Sequence, residues 1–303
     1  MLNFGFFSPS ECKVQRVVGT HESVHAKTLI SILMGVRCEK GRIQQLQRAI
    51  DSILAQTYQD WELLICDDGS DSAIVDLLDH LAKLNPRIRL IREGTLFSLA
   101  PKLNACLRQA KGQWIARMDD DDISHPERLQ RQIEFLHRNP NISFLGCYVK
   151  QMHSGKFVGM RKFPLLPTQR DFLFSMPFVH PTLMFRRKAL EEVGGYDESS
   201  CCVLCEDYDL LLRMYNAGMI GANLPECLLD YSVDSLYIRR RKYRHRINEA
   251  ITRYRRFYEL RMLPGAWPYV IKPLFVGLLP LKMLNNFRDR RNNLGNRRNN
   301  LYE

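Results

Sequence analysis

The 303-residue chain has neither a G-x-G-x-x-G turn nor a G-x-x-x-x-G-K-[ST] loop. Without these glycine-rich phosphate cradles, ordinary dinucleotide enzymes and P-loop ATPases are disfavoured. Its nine cysteines fall at irregular spacing, with one C-x-x-C at Cys202–Cys205 and no second pair. A zinc site would lack half its ligands, and a chain of this size needs no disulfide staples, so the thiols read as reduced and the compartment as intracellular. The opening MLNFGFFSPSECK has no basic stretch ahead of an apolar run, and Pro9 breaks the short run that is there, which argues against a secretory leader. Residues 263–284 are apolar over the length of a membrane span, but Pro264, Pro268, Pro273, Pro280 and Lys272 interrupt them. A regular transmembrane helix is not expected. There is no internal repeat.

What is present is enough for a substantial core: 45% of the residues are hydrophobic and 10% aromatic. The net charge of +11 is unevenly spread. Residues 236–303 hold 17 Lys and Arg against 4 Asp and Glu, whereas the first 235 residues hold 27 against 29. The tail suits an anionic surface, and the nearly neutral body with its acidic clusters suits a cation or acid–base chemistry. No nucleic-acid recognition motif accompanies the basic tail, so nucleic acid is not an expected partner.

From residue 29 short β-rich runs alternate with helical stretches. Strands are predicted at 29–36, 61–68, 87–93 and 113–119, and helices at 41–56, 72–84, 98–110 and 125–138. In the first helix Ile43, Leu46, Ile50, Ile53 and Leu54 recur at helical spacing and form one buried stripe. The alternation predicts right-handed crossovers and an α/β fold with a mostly parallel sheet and helices on both faces. The second half is less regular, with strand candidates at 143–152 and 181–186 and a helix over 205–217. Ligands of such sheets bind beyond the carboxyl ends of the strands, which is where Asp67-Asp68 and Asp119–Asp122 fall.

Four consecutive aspartates raise the cost of ionising one another, so they call for positive charge. A helix start accounts for some of them, because Ser124 and Glu127 fit an S-x-x-E capping box. An EF-hand loop fails, since its required glycine would be Ser124 and a ligand position would be Ile123. A hard divalent cation shared between one or two carboxylates and a phosphate-bearing substrate fits the pattern.

The ordered stretches SILMGVRCEKGRIQQLQRAIDSILAQTYQDWELLICDDGSD, APKLNACLRQAKGQWIARMDDDDISHPERLQRQ, FVHPTLMFRRKALEEVGGYDE and CEDYDLLLRMYNAG resemble the family 2 glycosyltransferases of GT-A fold over roughly residues 29–232. The resemblance implies a nonprocessive, inverting enzyme that uses a nucleotide sugar, UDP-linked by default, with Mn²⁺ or Mg²⁺. It implies that Asp68 accepts a hydrogen bond from the base, with Asp67 beside it, and that Gly35, Arg37, Asp119 and Asp120 line the nucleotide sugar. Asp119 and Asp121 match the D-x-D pair, with Asp121 on the metal. Asp207 matches the general base, with Glu206 as its neighbour, and His180 lies near the acceptor. The alternative for His180 is a core histidine satisfied internally, and for Glu206-Asp207 an acidic first turn of an amphipathic helix. Processive relatives add a Q-x-x-R-W motif and membrane spans, and the sequence has neither. Two departures stand out: Arg37-Cys38 where many relatives carry Tyr-Asn, and Tyr231-Ser232 where relatives often have Tyr-Arg. A nucleotidyltransferase, or a binding module that has lost catalysis, remains the alternative.

The chain divides on this reading into an N-terminal extension (1–28), a glycosyltransferase domain (29–235) and a basic tail (236–303). The tail is expected either to lie in the headgroup region of an anionic membrane, with Trp267 and Tyr269 at the interface, or to dock on the body as a helical appendage. Membrane attachment would suit a glycan acceptor carried on polyprenyl diphosphate at the cytoplasmic face. Cys201, Cys202 and Cys205 are expected as free thiols on a loop before the base.

Overall fold

A computed structural model describes residues 28–94, 96, 98–233 and 242–279. All but one residue of the expected N-terminal extension therefore lie outside the described residues, as do 280–303. The strands β1 (Ile30–Val36), β2 (Trp61–Asp67), β3 (Ile88–Ile91) and β4 (Trp114–Arg117) pair in parallel in the order β3-β2-β1-β4. Both faces of this half are covered, which is why β1 and β2 read as unbroken apolar runs rather than alternating ones. On one face Ile32, Met34, Leu63 and Ile65 pack against α1 (Ile43–Leu54), α2 (Ser72–Leu84) and α4 (Arg128–Arg138). On the other, Leu33, Leu64 and Cys66 meet α3 (Leu99–Gln109) and α6 (Glu206–Asn216).

The sheet continues through β8 (Met184–Arg186), β6 (Ile142–His153), β9 (Ile220–Ser232) and the two-residue β5 (Ile123–Ser124), with β7 (Lys156–Arg161) off β6. A one-turn helix α5 (Arg187–Glu192) follows β8. The β4–β8, β8–β6, β6–β7 and β5–β9 pairs are antiparallel, and β6–β9 is parallel. Val36 stands opposite Asp67, and Met118 N–H donates to Leu33 carbonyl at 3.2 Å. Both acidic clusters are thereby brought to the carboxyl edge.

The capping box does not form. Ser124 lies in β5, where its N–H donates to Ser52 Oγ (3.0 Å) and its Oγ accepts from Gln56 Nε2 (3.1 Å), and α4 starts only at Arg128 with no side-chain cap. Strand pairing to β9 outcompeted the local signal, and β9 itself, 13 residues long with Pro225 inside it, carries no clean alternation that would have announced it.

Beyond the expected boundary at 235, α7 (Tyr243–Glu259) and α8 (Trp267–Leu278) pack into the body's second core through Phe257, Ala266 and Val270. Arg256 Nε lies 2.7 Å from Asp209 Oδ1 of α6, and Arg253 Nη1 donates to Leu173 carbonyl at 2.8 Å. The described part of the tail is thus docked on the body. No helix among the described residues is long and apolar enough to cross a membrane.

Candidate active site

The Asp67-Asp68-Gly69-Ser70 turn ties the ends of β1 and β2 together. Gly69 takes φ +74°, a conformation glycine adopts without a Cβ penalty. Asp67 Oδ1 accepts from Ser70 N–H (3.2 Å), its Oδ2 lies 3.5 Å from Arg92 Nε, and Ser70 Oγ accepts from Cys38 N–H (2.9 Å). Asp68 is buried: Oδ1 accepts from Leu96 N–H at 2.6 Å and Oδ2 lies 3.4 Å from Lys102 Nζ, which also donates to Val36 carbonyl. Oδ1 of the residue expected on the nucleotide base is therefore hydrogen-bonded inside the fold, whereas its buried Oδ2 has the Lys102 ion pair but no hydrogen-bond partner among the described residues. Gly35 explains how Lys102 gets there: a Cβ at this position would come within 2.9 Å of Leu99 Cδ1, so its absence lets α3 lie close over β1. Arg37 is exposed at the mouth of the crevice.

The acidic run finds its positive charge from two sides. Arg117, fully buried at the end of β4, places Nη1 2.5 Å from Asp119 Oδ1. Arg42, in the turn before α1, reaches Asp120 Oδ1 (3.1 Å) and Asp121 Oδ2 (3.2 Å). Asp122 is buried; its Oδ1 accepts from Ser232 N–H (2.8 Å), and Ser232 Oγ donates to Asp121 carbonyl (2.5 Å). The serine that departs from the Tyr-Arg of relatives thus closes the acidic loop.

One oxygen from each of Asp119, Asp121 and Asp122 lies within 4.8 Å of the other two. Burial, then the neighbouring Asp119 and Asp120, lift the Asp121 carboxyl to about 7. Burial followed by Asp119 and Asp121 raises Asp122 well above its ordinary range, and its buried Oδ2 has no hydrogen-bond partner among the described residues. Hard oxygen donors with an unmet demand for positive charge fit a divalent cation such as Mn²⁺ or Mg²⁺. The fold sets the D-x-D pair side by side, and Asp122, which the sequence reading did not assign to the metal, lies with it.

Glu206 and Asp207 open α6. Glu206 is buried, and burial followed by the charge of Asp207 lifts it to about 7, while Asp207 is half-buried. The Arg117 guanidinium acts electrostatically on Asp120, Asp121, Asp122 and Glu206 alike, so the two carboxylate groups share one charge environment. His180 is buried, with Nε2 2.8 Å from Tyr196 Oη, and burial beside Arg117 holds it well below its ordinary pKa. It stands as a buried histidine hydrogen-bonded to Tyr196 and within the electrostatic reach of Arg117.

A second cluster, Asp197, Cys202 and Asp209, is internally satisfied: Cys202 Sγ donates to Asp197, and Asp209 is held by Arg213 (2.8 Å) and Arg256. Of the residues the sequence reading missed, Lys102 had a signal, since it sits on the buried face of α3 between Leu99 and Cys106. Arg42 and Ser232 had none, because only the fold brings them to the acidic run.

The doubly covered α/β sheet with carboxylates clustered along its carboxyl edge has the GT-A fold of nucleotide-sugar transferases, which its structural neighbours share. The chain belongs to glycosyl transferase family 2, whose family description matches residues 31–194, with the related family group 2 matching 114–288. EpsE of Bacillus subtilis is 34% identical over 264 residues, covering 86% of this chain and 94% of EpsE. The O-antigen biosynthesis glycosyltransferase WbnJ of Escherichia coli is 35% identical over 217 residues, 70% of this chain and 82% of WbnJ. WfgD of the same species, a UDP-Glc:α-D-GlcNAc-diphosphoundecaprenol β-1,3-glucosyltransferase, is 29% identical over 185 residues, 54% of this chain and 72% of WfgD. Among solved structures, Staphylococcus aureus TarS 1-349 in complex with UDP-GlcNAc aligns with TM-score 0.63 at 13% identity, covering 80% of this chain and 72% of that one. The mannosyltransferase PcManGT of Pyrobaculum calidifontis, in complex with GDP-Man and Mn²⁺, aligns with TM-score 0.57 at 19% identity, covering 83% and 69%. The protein is a glycosyltransferase.

Proposed function

We propose that the enzyme transfers a single sugar, with inversion, from a nucleotide sugar to a saccharide carried on polyprenyl diphosphate, in the building of a cell-surface glycan at the cytoplasmic face of the membrane. The observation that carries this reading is the pairing of two carboxylate groups of different character around Arg117. Asp119, Asp121 and Asp122 would hold the divalent cation. When bound, that cation supplies Lewis-acid stabilisation of charge on the departing diphosphate. Arg42, at the rim, is within reach to take up diphosphate charge once Asp120 and Asp121 have another partner.

Asp207 is the proposed general base, half-exposed where an acceptor hydroxyl could approach, with Glu206 retaining a proton near neutral pH beside it. One base without a second, nucleophilic carboxylate supports a single displacement, so an α-linked donor would give a β-linked product. The β-1,3 linkage in the name of WfgD and its diphosphoundecaprenol-linked acceptor support the same reading, as does the O-antigen pathway in the name of WbnJ. UDP is the proposed nucleotide, with exposed Arg37 free to stack on the base.

Release of nucleoside diphosphate from UDP, GDP and dTDP sugars, and of CMP from CMP sugars, with Mn²⁺, Mg²⁺ or chelator, tests the reading. Metal-dependent hydrolysis of one donor is expected. Release of pyrophosphate from a nucleoside triphosphate would instead establish a nucleotidyltransferase.

A further inference from the structure

Among the described residues the two tail helices leave a continuous apolar face uncovered. On α7 the exposed side chains Tyr243, Ile247, Ile251, Tyr254 and Tyr258 recur every three or four residues, and on α8 Trp267, Ile271, Phe275 and Leu278 do the same. The two stripes adjoin at both ends. The Tyr254 and Trp267 rings lie 5.6 Å apart, and at the other end a Cβ on Gly277 would come within 2.9 Å of Tyr243 and Arg246, so the helices run antiparallel in close contact. A hollow of about 610 Å³ is lined by Tyr254, Tyr258, Leu263, Pro264 and Trp267, with the charged Glu259 and Arg261 at its edge.

Charge on this hairpin is one-sided. Residues 242–279 hold eight Lys and Arg against two acids. Those acids face arginines of their own helix: Glu249 meets Arg246 (3.3 Å) and Arg253 (3.2 Å), and Glu259 meets Arg256 (2.8 Å). Arg244 and Arg255 are exposed at positions that border the apolar stripe of α7, and Arg261 is exposed in the turn. Aromatic and branched aliphatic side chains in a plane, edged by arginines, match an anionic bilayer: the rings sit at headgroup depth while the guanidinium groups stay with the lipid phosphates.

We infer that the α7–α8 hairpin is a rigid lipid dock, seating the exposed Tyr243–Tyr258 and Trp267–Leu278 stripes in the headgroup region of an anionic membrane. The dock rests on the reading above that the acceptor is held in a bilayer. Its function would be orientation, since the hairpin is tied to the catalytic part at several points. Arg256 pairs with Asp209 of α6, and Asn248 Nδ2 donates to Ser200 carbonyl (2.9 Å) in the loop leading to Glu206 and Asp207. Seating the hairpin therefore fixes the height and tilt of the proposed base above the lipid.

Flotation of the full chain with phosphatidylcholine vesicles, with and without phosphatidylglycerol, tests the dock. The wild type is expected to float with the anionic vesicles and to release as salt rises. Ile271→Asp with Phe275→Asp changes two exposed positions and should weaken flotation by on the order of tenfold or more, while Arg244→Glu with Arg255→Glu should abolish the preference for anionic lipid. Both variants should keep the wild-type melting temperature and donor hydrolysis. Wild-type protein that stays unbound, or a double aspartate variant that floats undiminished, would overturn the dock. So would a concentration-dependent dimer dissolved by the aspartates, which would assign the face to a second copy, or flotation that appears only after removal of residues 280–303. Failure of every donor to bind or to be hydrolysed would sink the proposed donor reading and leave the flotation result standing.

Discussion

Lys102 Nζ lies 3.4 Å from Asp68 Oδ2, with the lysine side chain 8% and the aspartate 1% exposed, so an ion pair is sealed beneath the crevice where the nucleotide is expected. Removing one partner strands a buried charge. Lys102→Met is accordingly expected to cost ~3–5 kcal/mol in denaturant unfolding. Asp68→Asn should be the more informative change. If it weakens binding of the nucleoside diphosphate while the unfolding midpoint holds, Asp68 serves the base; if stability falls first, its part is to hold α3 and the loop after β3.

Calorimetry with Mn²⁺ examines the acidic loop. Asp121→Ala should abolish metal binding, and Asp122→Asn should weaken it, because the buried Oδ2 that has no hydrogen-bond partner among the described residues is then an amide. Chelator should remove donor binding from the wild type and change nothing in the Asp121 variant. Metal affinity unaltered in both variants would disprove the proposed ligand set.

Turnover isolates the base. Asp207→Asn should retain donor and metal affinity and lower turnover by on the order of 10² to 10⁴. A variant that transfers sugar at the normal rate would move the role to another group.

Glu206 gives a pH signature. Its folded pKa of about 7 lies above the usual carboxylate value. A raised folded pKa favours the protonated, folded form, so this contribution is complete below about pH 4.5 and is lost as pH rises toward 7. Glu206→Gln should match the wild type at low pH and exceed its stability above pH 7, by on the order of 3 kcal/mol. Thermal unfolding at saturating Mn²⁺, which holds the aspartates in one state, reads the difference. Parallel stability–pH curves for the two proteins would refute it.

Ending the chain at residue 235 tests how the tail is joined. Phe257 is fully buried and Arg256 neutralises Asp209 together with Arg213, so the shortened protein should expose core and aggregate. A soluble, well-folded product would show that the tail is an independent attachment.

The first half of the fold is written locally. Strand and helix signals alternate at short range, and Ser72–Leu84 begins and ends where Asn85-Pro86 and the DDGSD turn place it. The acidic clusters were legible too, because strand ends are where such residues become a site. Partners that arrive from afar were not. Arg42 lies 78 residues from Asp120, and Ser232 lies 110 from Asp122, and neither distance leaves a local trace. The reading of Ser124 as a helix cap shows the opposite error: a good local motif lost to a strand pair with β9. The basic tail was legible only as a pair of alternatives because its arginines serve two purposes. Arg253 and Arg256 turn inward to the body, while Arg244 and Arg255 turn outward.

The hydrogen bonds from Ser232 to Asp121 and Asp122 also set an order of assembly. On a ribosome, β1 to β4 and the four aspartates emerge more than a hundred residues before the strand that braces them. Chain elongation at ~5–20 residues per second leaves a wait of several seconds. Throughout that interval the aspartates would repel one another without the Ser232 brace, held among the described residues by Arg42 and Arg117. The bracing of the acidic loop comes last, with β9, and a chain truncated before Ser232 would be left without it.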